Sequence, residues 1–181
     1  MNKKMTWVGA LVLFFVGAIG GNYIVKSLKQ PPEPSQATQS LIGNPVAPYS
    51  LVGLDGVRED SSQWIGKVQV INFWATWCPP CKREIPELID LQAQYGGHGL
   101  QVVGIALDRE VELVREYAEE NGINYPILTG SKEATRVAEQ LGNDMGLLPY
   151  TVITDQAGNV AFIKYGEADR QTLESEIKKR L

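Results

Sequence analysis

Hydrophobic and polar positions divide the chain into three regimes, the first of them uniformly apolar. Lys3 and Lys4 precede Trp7 to Val25 (WVGALVLFFVGAIGGNYIV), and no charge follows until Lys26. At about 1.5 Å per helical residue this stretch reaches roughly 28 Å, close to the hydrocarbon thickness of a bilayer. It predicts a transmembrane signal-anchor over residues 7–25, with residues 1–6 as a cytoplasmic N-terminus. Ala18, Gly20 and Gly21 also suit a cleaved signal peptide, but an uncleaved anchor is the favoured reading. Lysines flank both ends, so the charge asymmetry gives only a slight preference for the N-terminus inside.

The second regime is polar. In Gln30 to Ser40 (QPPEPSQATQS), Pro31, Pro32 and Pro34 oppose helix formation and almost nothing apolar is available to bury. Residues 26–44 therefore read as a linker, whose proline-rich stretch spans on the order of 30 Å when extended.

From residue 45 onward short apolar runs alternate with amphipathic segments, the pattern of a layered α/β domain over 45–181. Tyr49 to Val52 and Val57 to Glu59, joined through Asp55-Gly56, predict a hairpin. Val68 to Phe73 and Leu100 to Leu107 predict buried strands, and Pro79 to Gln94 a helix between them. Further helices are expected over Glu110 to Asn121, Lys132 to Leu141 and Asp169 to Lys179. Tyr150 to Thr154 and Val160 to Lys164 form a second hairpin candidate. Pro86 falls inside the first of these helices, yet Leu88, Leu91 and Tyr95 carry the helical spacing past it, which predicts a kink there.

Composition narrows the picture. The chain has 181 residues, 44% of them hydrophobic and 21% charged, with a net charge of −4. It has no basic stripe interleaved with aromatics, which argues against nucleic-acid binding. Its two cysteines are too few to staple a small secreted domain. They stand three apart, as Cys78-Pro79-Pro80-Cys81, a spacing that chance gives only about once in a hundred such chains.

That spacing carries chemistry. Cys78 follows a strand and stands at or before the first turn of a helix, where unpaired N–H groups and the positive dipole end favour an anion. Cysteines so placed in C-x-x-C motifs have their pKa lowered from about 8.5 to roughly 3.5–7.5. Cys78 is thus the expected nucleophile, and Cys81, one turn on, the resolving thiol. Pro79 and Pro80 fit because first-turn N–H groups have no helical partner to lose. A zinc site would need further ligands, and His98 is the only histidine. Haem attachment would need a histidine after Cys81, where Lys82 stands.

The run Val70 to Pro86 (VINFWATWCPPCKREIP) resembles the active-site signature of the TlpA/ResA-like branch of the thioredoxin superfamily, and a looser likeness extends over about 45–181. The resemblance implies a thioredoxin-like α/β fold, a central mixed β-sheet flanked by helices with an N-terminal β-hairpin extension, here preceded by one transmembrane helix. It implies a thiol:disulfide oxidoreductase that needs no cofactor or metal beyond the Cys78–Cys81 disulfide. The expected partners are protein thiols or disulfides, apocytochrome c among them, and a membrane electron donor protein. The expected setting is the cell membrane, single-pass, with the catalytic domain on the periplasmic side. The expected direction is reductive, in the service of cytochrome c maturation.

The likeness also assigns residues. Leu148-Pro149 corresponds to a cis-proline loop facing the dithiol and would bind substrate; Trp77, which borders the nucleophile, reads on its own position as part of an exposed apolar docking surface, with Pro79 and Pro80 beside it. Glu84 matches an acidic residue near the dithiol and would move the proton of Cys81, although an exposed helix acid accounts for it equally well. Thioredoxin places a buried aspartate where Asn72 stands, and an amide cannot titrate. Trp74 and Phe73 read as core. Two other classes compete. A thiol peroxidase would need Thr or Ser where Ala75 stands, and a copper-binding assembly factor would need a well-placed histidine.

Overall fold

Strand β3 (Val68–Trp74) is buried at all seven positions, as is β4 (Leu100–Ala106). Such continuously buried, mostly apolar runs form where helices cover both faces of a sheet. The computed structural model describes residues 32–181. In it, β3 and β4 pair in parallel, from Val68 opposite Leu100 to Trp74 opposite Ala106. The remaining strands are β1 (Ser50–Gly53), β2 (Arg58–Asp60), β5 (Ile127–Thr129), β6 (Tyr150–Thr154) and β7 (Val160–Tyr165). The sheet order is β2-β1-β5-β4-β3-β6-β7. β4 and β5 are parallel, whereas the β1–β2, β1–β5, β3–β6 and β6–β7 pairs are antiparallel. This is the mixed sheet and N-terminal hairpin expected of a thioredoxin-like fold.

The helices are α1 (Gln36–Gln39), α2 (Pro79–Tyr95), α3 (Val111–Glu120), α4 (Ser131–Gln140) and α5 (Arg170–Lys178). Alternation along β3 decides which side each covers. Val68, Val70 and Trp74 join Ile85, Leu88 and Leu91 of α2, Val114 of α3, and Leu173 and Ile177 of α5 in one core cluster. Ile71 and Phe73 point the other way, to Ala134, Val137 and Ala138 of α4 and to Tyr150 and Tyr165. α2 runs through Pro86 without ending.

Two elements depart from expectation. β5 spans only three residues, too few for a periodic signal, and is held by its neighbours β4 and β1. The folded unit also begins at Glu33, inside the segment read as linker. Ser35 caps α1, Thr38 is buried, and Gly43 and Val46 bond the backbone of Val160 and Gly158. The prolines precede this docked part, and its polar groups find acceptors in the domain, which hydropathy alone does not show. The predicted anchor at 7–25 lies outside the described residues; no helix among them is long and apolar enough to cross a membrane.

Candidate active site

The strand-to-helix junction is built around two prolines and a sulfur. β3 ends at Trp74, three residues follow, and Cys78 takes an extended conformation as the N-cap of α2. Pro79 and Pro80 occupy the first two helical positions, where they have no N–H to offer. The first free donor of the helix is therefore Cys81 N–H, and it points to Cys78 Sγ at 3.3 Å. The two cysteines are joined in a disulfide with Cα atoms 5.3 Å apart. Only 4% of Cys78 and 1% of Cys81 is exposed, so the bridge shows solvent an edge on the Cys78 side.

Glu84 lies one turn beyond Cys81 on the inward side of α2. It is 1% exposed, which overturns the reading of an exposed helix acid. Its carboxylate accepts from Asn72 Nδ2 at 3.1 Å, the backbone N–H of Ala168 at 3.3 Å and Thr151 Oγ1 at 3.5 Å. Asn72 Nδ2 also donates to Thr151 Oγ1 at 2.9 Å. Burial pushes the Glu84 carboxyl up to about 7, outweighing these three donors, and nearby Glu167 pushes the same way. The amide at position 72 thus serves as a donor that fixes the acid on the facing helix.

The other assigned residues fall around this junction. Trp77 is 68% exposed beside Cys78; Pro79 is exposed and Pro80 half-buried. Trp74 and Phe73 are fully buried, as core residues. The Leu148–Pro149 bond is cis. Half-buried Leu148 packs against the cluster that contains Cys78 and Cys81, while Leu147 and Met145 are exposed near it in the chain. Pro149 O accepts from Gly166 N at 2.8 Å. At the rim, Lys82 lies over the Tyr117 ring and Arg83 pairs with Glu167 at 2.6 Å, contacts too exposed to add much stability.

Asp108 escaped the sequence reading. It is 5% exposed, and its oxygens accept from Thr76 N at 3.1 and 3.2 Å and from Thr76 Oγ1 at 2.5 Å. This pins the loop that delivers Trp77 and Cys78. The only hint in the sequence is an acid placed directly after the apolar run of β4. Thr151 and the Ala168 amide were also unforeseen, since they reach Glu84 only through tertiary packing. Among the described residues no group of three or more His, Cys, Asp or Glu gathers as a metal site would require.

Comparison with known proteins fits this geometry. The Redoxin family model matches residues 41–181. The thiol-disulfide oxidoreductase ResA of Geobacillus kaustophilus is 26% identical over 177 residues, 98% of this chain and 96% of the relative. The thioredoxin-like protein YneN of Bacillus subtilis is 28% identical over 98% of both chains. Among solved structures, a putative thiol:disulfide interchange protein DsbE from Chlorobium tepidum superposes with a TM-score of 0.71 at 25% identity, covering 77% of this chain and 96% of that one. A DsbF homologue from Corynebacterium diphtheriae gives 0.68 at 27% identity, over 75% and 85% of the two chains.

Proposed function

Because the chain belongs to the Redoxin family, in its TlpA/ResA-like thioredoxin branch, and is a thiol:disulfide oxidoreductase, we propose that it works as a membrane-tethered reductant of protein disulfides on the extracytoplasmic side. The observation that carries this reading is Cys78 Sγ at the tip of α2, accepting the first available N–H of the helix. A sulfur so placed is stabilised as the thiolate, the form that attacks disulfides.

In the reduced protein, Cys78 thiolate attacks one sulfur of a substrate disulfide. The Cys78–substrate S–S bond forms, the substrate S–S bond breaks, and one substrate thiolate leaves and takes up a proton. Cys81 then gives its proton to the Glu84 carboxylate and attacks Cys78 Sγ, which closes the Cys78–Cys81 bond and expels the second substrate thiolate. Glu84, with its carboxyl near 7, holds that proton and releases it to the departing thiolate. Two electrons pass from the two cysteines to the substrate, with one proton supplied by Cys81 through Glu84 and the other taken from solvent. A membrane electron donor protein returns them.

Trp77, Pro79, Pro80 and the Leu148-Pro149 loop form the docking rim, with the Leu148 backbone pairing with an extended substrate strand. The resemblance to the TlpA/ResA-like branch supports the haem-binding cysteines of apocytochrome c as substrates. The apolar run at 7–25 supports the tether. The alternatives are weaker: Ala75 stands where a peroxidase needs a hydroxyl, and among the described residues no third His, Cys, Asp or Glu gathers with the cysteines to hold copper.

The test uses the reduced full chain and an oxidised Cys-Xaa-Xaa-Cys-His peptide. Cys81→Ser is expected to accumulate a mixed disulfide on Cys78, and Cys78→Ser to accumulate almost none. Failure of the wild-type pair to cycle in glutathione buffers, or trapping through Cys81 instead, would overturn the reading.

A further inference from the structure

The segment that precedes the first strand is hydrogen-bonded to the loop that ends in the cis-proline. Thr38 Oγ1 donates to Gly142 O at 2.9 Å and lies 3.3 Å from Tyr165 Oη. Ser35 Oγ donates to Asp144 Oδ2 at 2.8 Å. Tyr165 Oη, at the end of β7, bonds both the Gly142 carbonyl and Asp144 Oδ1. Gly142 has φ +97°, and a Cβ there would meet Thr38 Cγ2 at 2.7 Å and Leu41 Cδ1 at 2.9 Å. The backbone of the loop and the N-terminal segment are therefore in direct contact.

Asn143 lies between these two anchored residues and carries the constraint forward. Its side chain is buried and closes on Leu147 twice, Nδ2 donating to Leu147 O at 2.9 Å and Oδ1 accepting from Leu147 N at 3.0 Å. Asn143 O also accepts from Gly146 N. Leu147 has both backbone groups committed immediately before Leu148-Pro149, and Pro149 O is held by Gly166, the residue after Tyr165. A chain of polar contacts thus runs from Ser35 and Thr38 through Gly142, Asn143 and Asp144 to the residues proposed to bind substrate.

We propose that the Ser35–Leu41 segment is a clamp on the 142–149 loop, with Thr38 and Ser35 as positioning residues for the docking of protein disulfides. Neither residue touches the cysteines; they act through Gly142 and Asp144. The clamp holds the Leu148 backbone ready to pair with an extended substrate, so that less ordering is left to the moment of binding. The proposal rests on the reading of Leu148-Pro149 as the docking loop.

The test compares full-length wild type, Thr38→Val, Thr38→Ser, Ser35→Ala and Pro149→Ala in the reduction of insulin disulfides, together with amide hydrogen exchange. Thr38→Val should raise KM for insulin about fivefold, the scale of one lost hydrogen bond, with kcat changed less than about twofold. Exchange of the Gly146 and Leu147 amides should quicken about tenfold while that of Val70 in β3 stays as it was. Thr38→Ser, which keeps the hydroxyl, should restore both, and Ser35→Ala should shift both in the same direction by less. Should Thr38→Val fail to fold, Ser35→Ala, whose bond is on the surface, carries the test alone. If Pro149→Ala raises KM but the Thr38 and Ser35 variants move neither KM nor exchange, the clamp is overturned and the docking loop stands. If none of the variants, Pro149→Ala included, changes KM, the docking loop is wrong and the clamp falls with it.

Discussion

The two faces of the sheet bury polar groups in different ways. On the α4 face, Tyr150 Oη donates to Leu141 O at 2.6 Å, and Tyr165 Oη to Gly142 O and Asp144. These are neutral donors, and they fasten one loop. On the α2 face the buried groups around Asn72 include an acid, Glu84, whose carboxyl sits near 7. The buried carboxylates among the described residues are Glu84 and Asp108, and both stand at the Cys78 end of the molecule. Unpaired donors do not separate the faces, since Tyr49 Oη on one and Trp74 Nε1 and Tyr125 Oη on the other are buried without partners. The difference lies in charge: hydroxyls set shape on one face, and an ionisable group is held ready on the other.

Stability against pH gives the largest expected effect. Glu84 titrates near 7 in the folded protein and near 4.5 when unfolded. Between those values the folded state binds the extra proton, so the stabilising contribution is complete below about 4.5 and is lost as the pH rises through 7. The 2.5-unit interval corresponds to about 3 kcal/mol. Urea unfolding of the oxidised protein, in which neither cysteine titrates, should show this fall between pH 4.5 and 8. Glu84→Gln should be nearly flat across the same window. Parallel curves for the two proteins would mean that the α2 face is no different from its opposite.

Tyr150→Phe probes the other side. It removes the donor to Leu141 O while keeping the ring that packs against Tyr165 at 4.8 Å between centroids. The expected loss is about 1–2 kcal/mol, equal at pH 5 and pH 8, because no charge is involved. A loss that changed with pH would break the division between a neutral face and an ionisable one.

Much of this arrangement was legible in the residues. The apolar runs of β3 and β4 sit where their continuity placed them, and the paired prolines after Cys78 marked the start of α2 because only a first turn accommodates them. The hairpins were found within a residue or two, the first through Asp55-Gly56 with φ +82° at Gly56. What escaped has a common cause. β5, the docking of Thr38, the Asp108–Thr76 clasp and the burial of Glu84 all depend on partners far along the chain. Glu84 and Arg83 are adjacent charged residues in one helix; Glu84 shares the inward face of Cys81, Leu88 and Leu91, and the strand carrying Asn72 supplies the donor that lets a carboxylate stand there. Ser35 to Ser40 is polar enough to pass for linker until Gly142 supplies a carbonyl for Thr38.

The rim offers the smallest effect on stability and so the cleanest separation of folding from recognition. Trp77 is a large apolar side chain left 68% exposed one residue before the nucleophile. Its backbone neighbourhood is already fixed by Asp108 on Thr76 and by the N-cap at Cys78, so the indole does little to hold the fold. Trp77→Ala should change unfolding free energy by no more than about 0.5 kcal/mol. The same indole is well placed to be covered by a docked polypeptide, and aromatic anchors of that kind dominate binding energy. KM for insulin should therefore rise about tenfold, measured beside Tyr150→Phe, whose KM should stay near wild type. A stability loss as large as that of Tyr150→Phe, with KM unmoved, would place Trp77 with the packing residues and leave the docking rim to Leu148 and Pro149 alone.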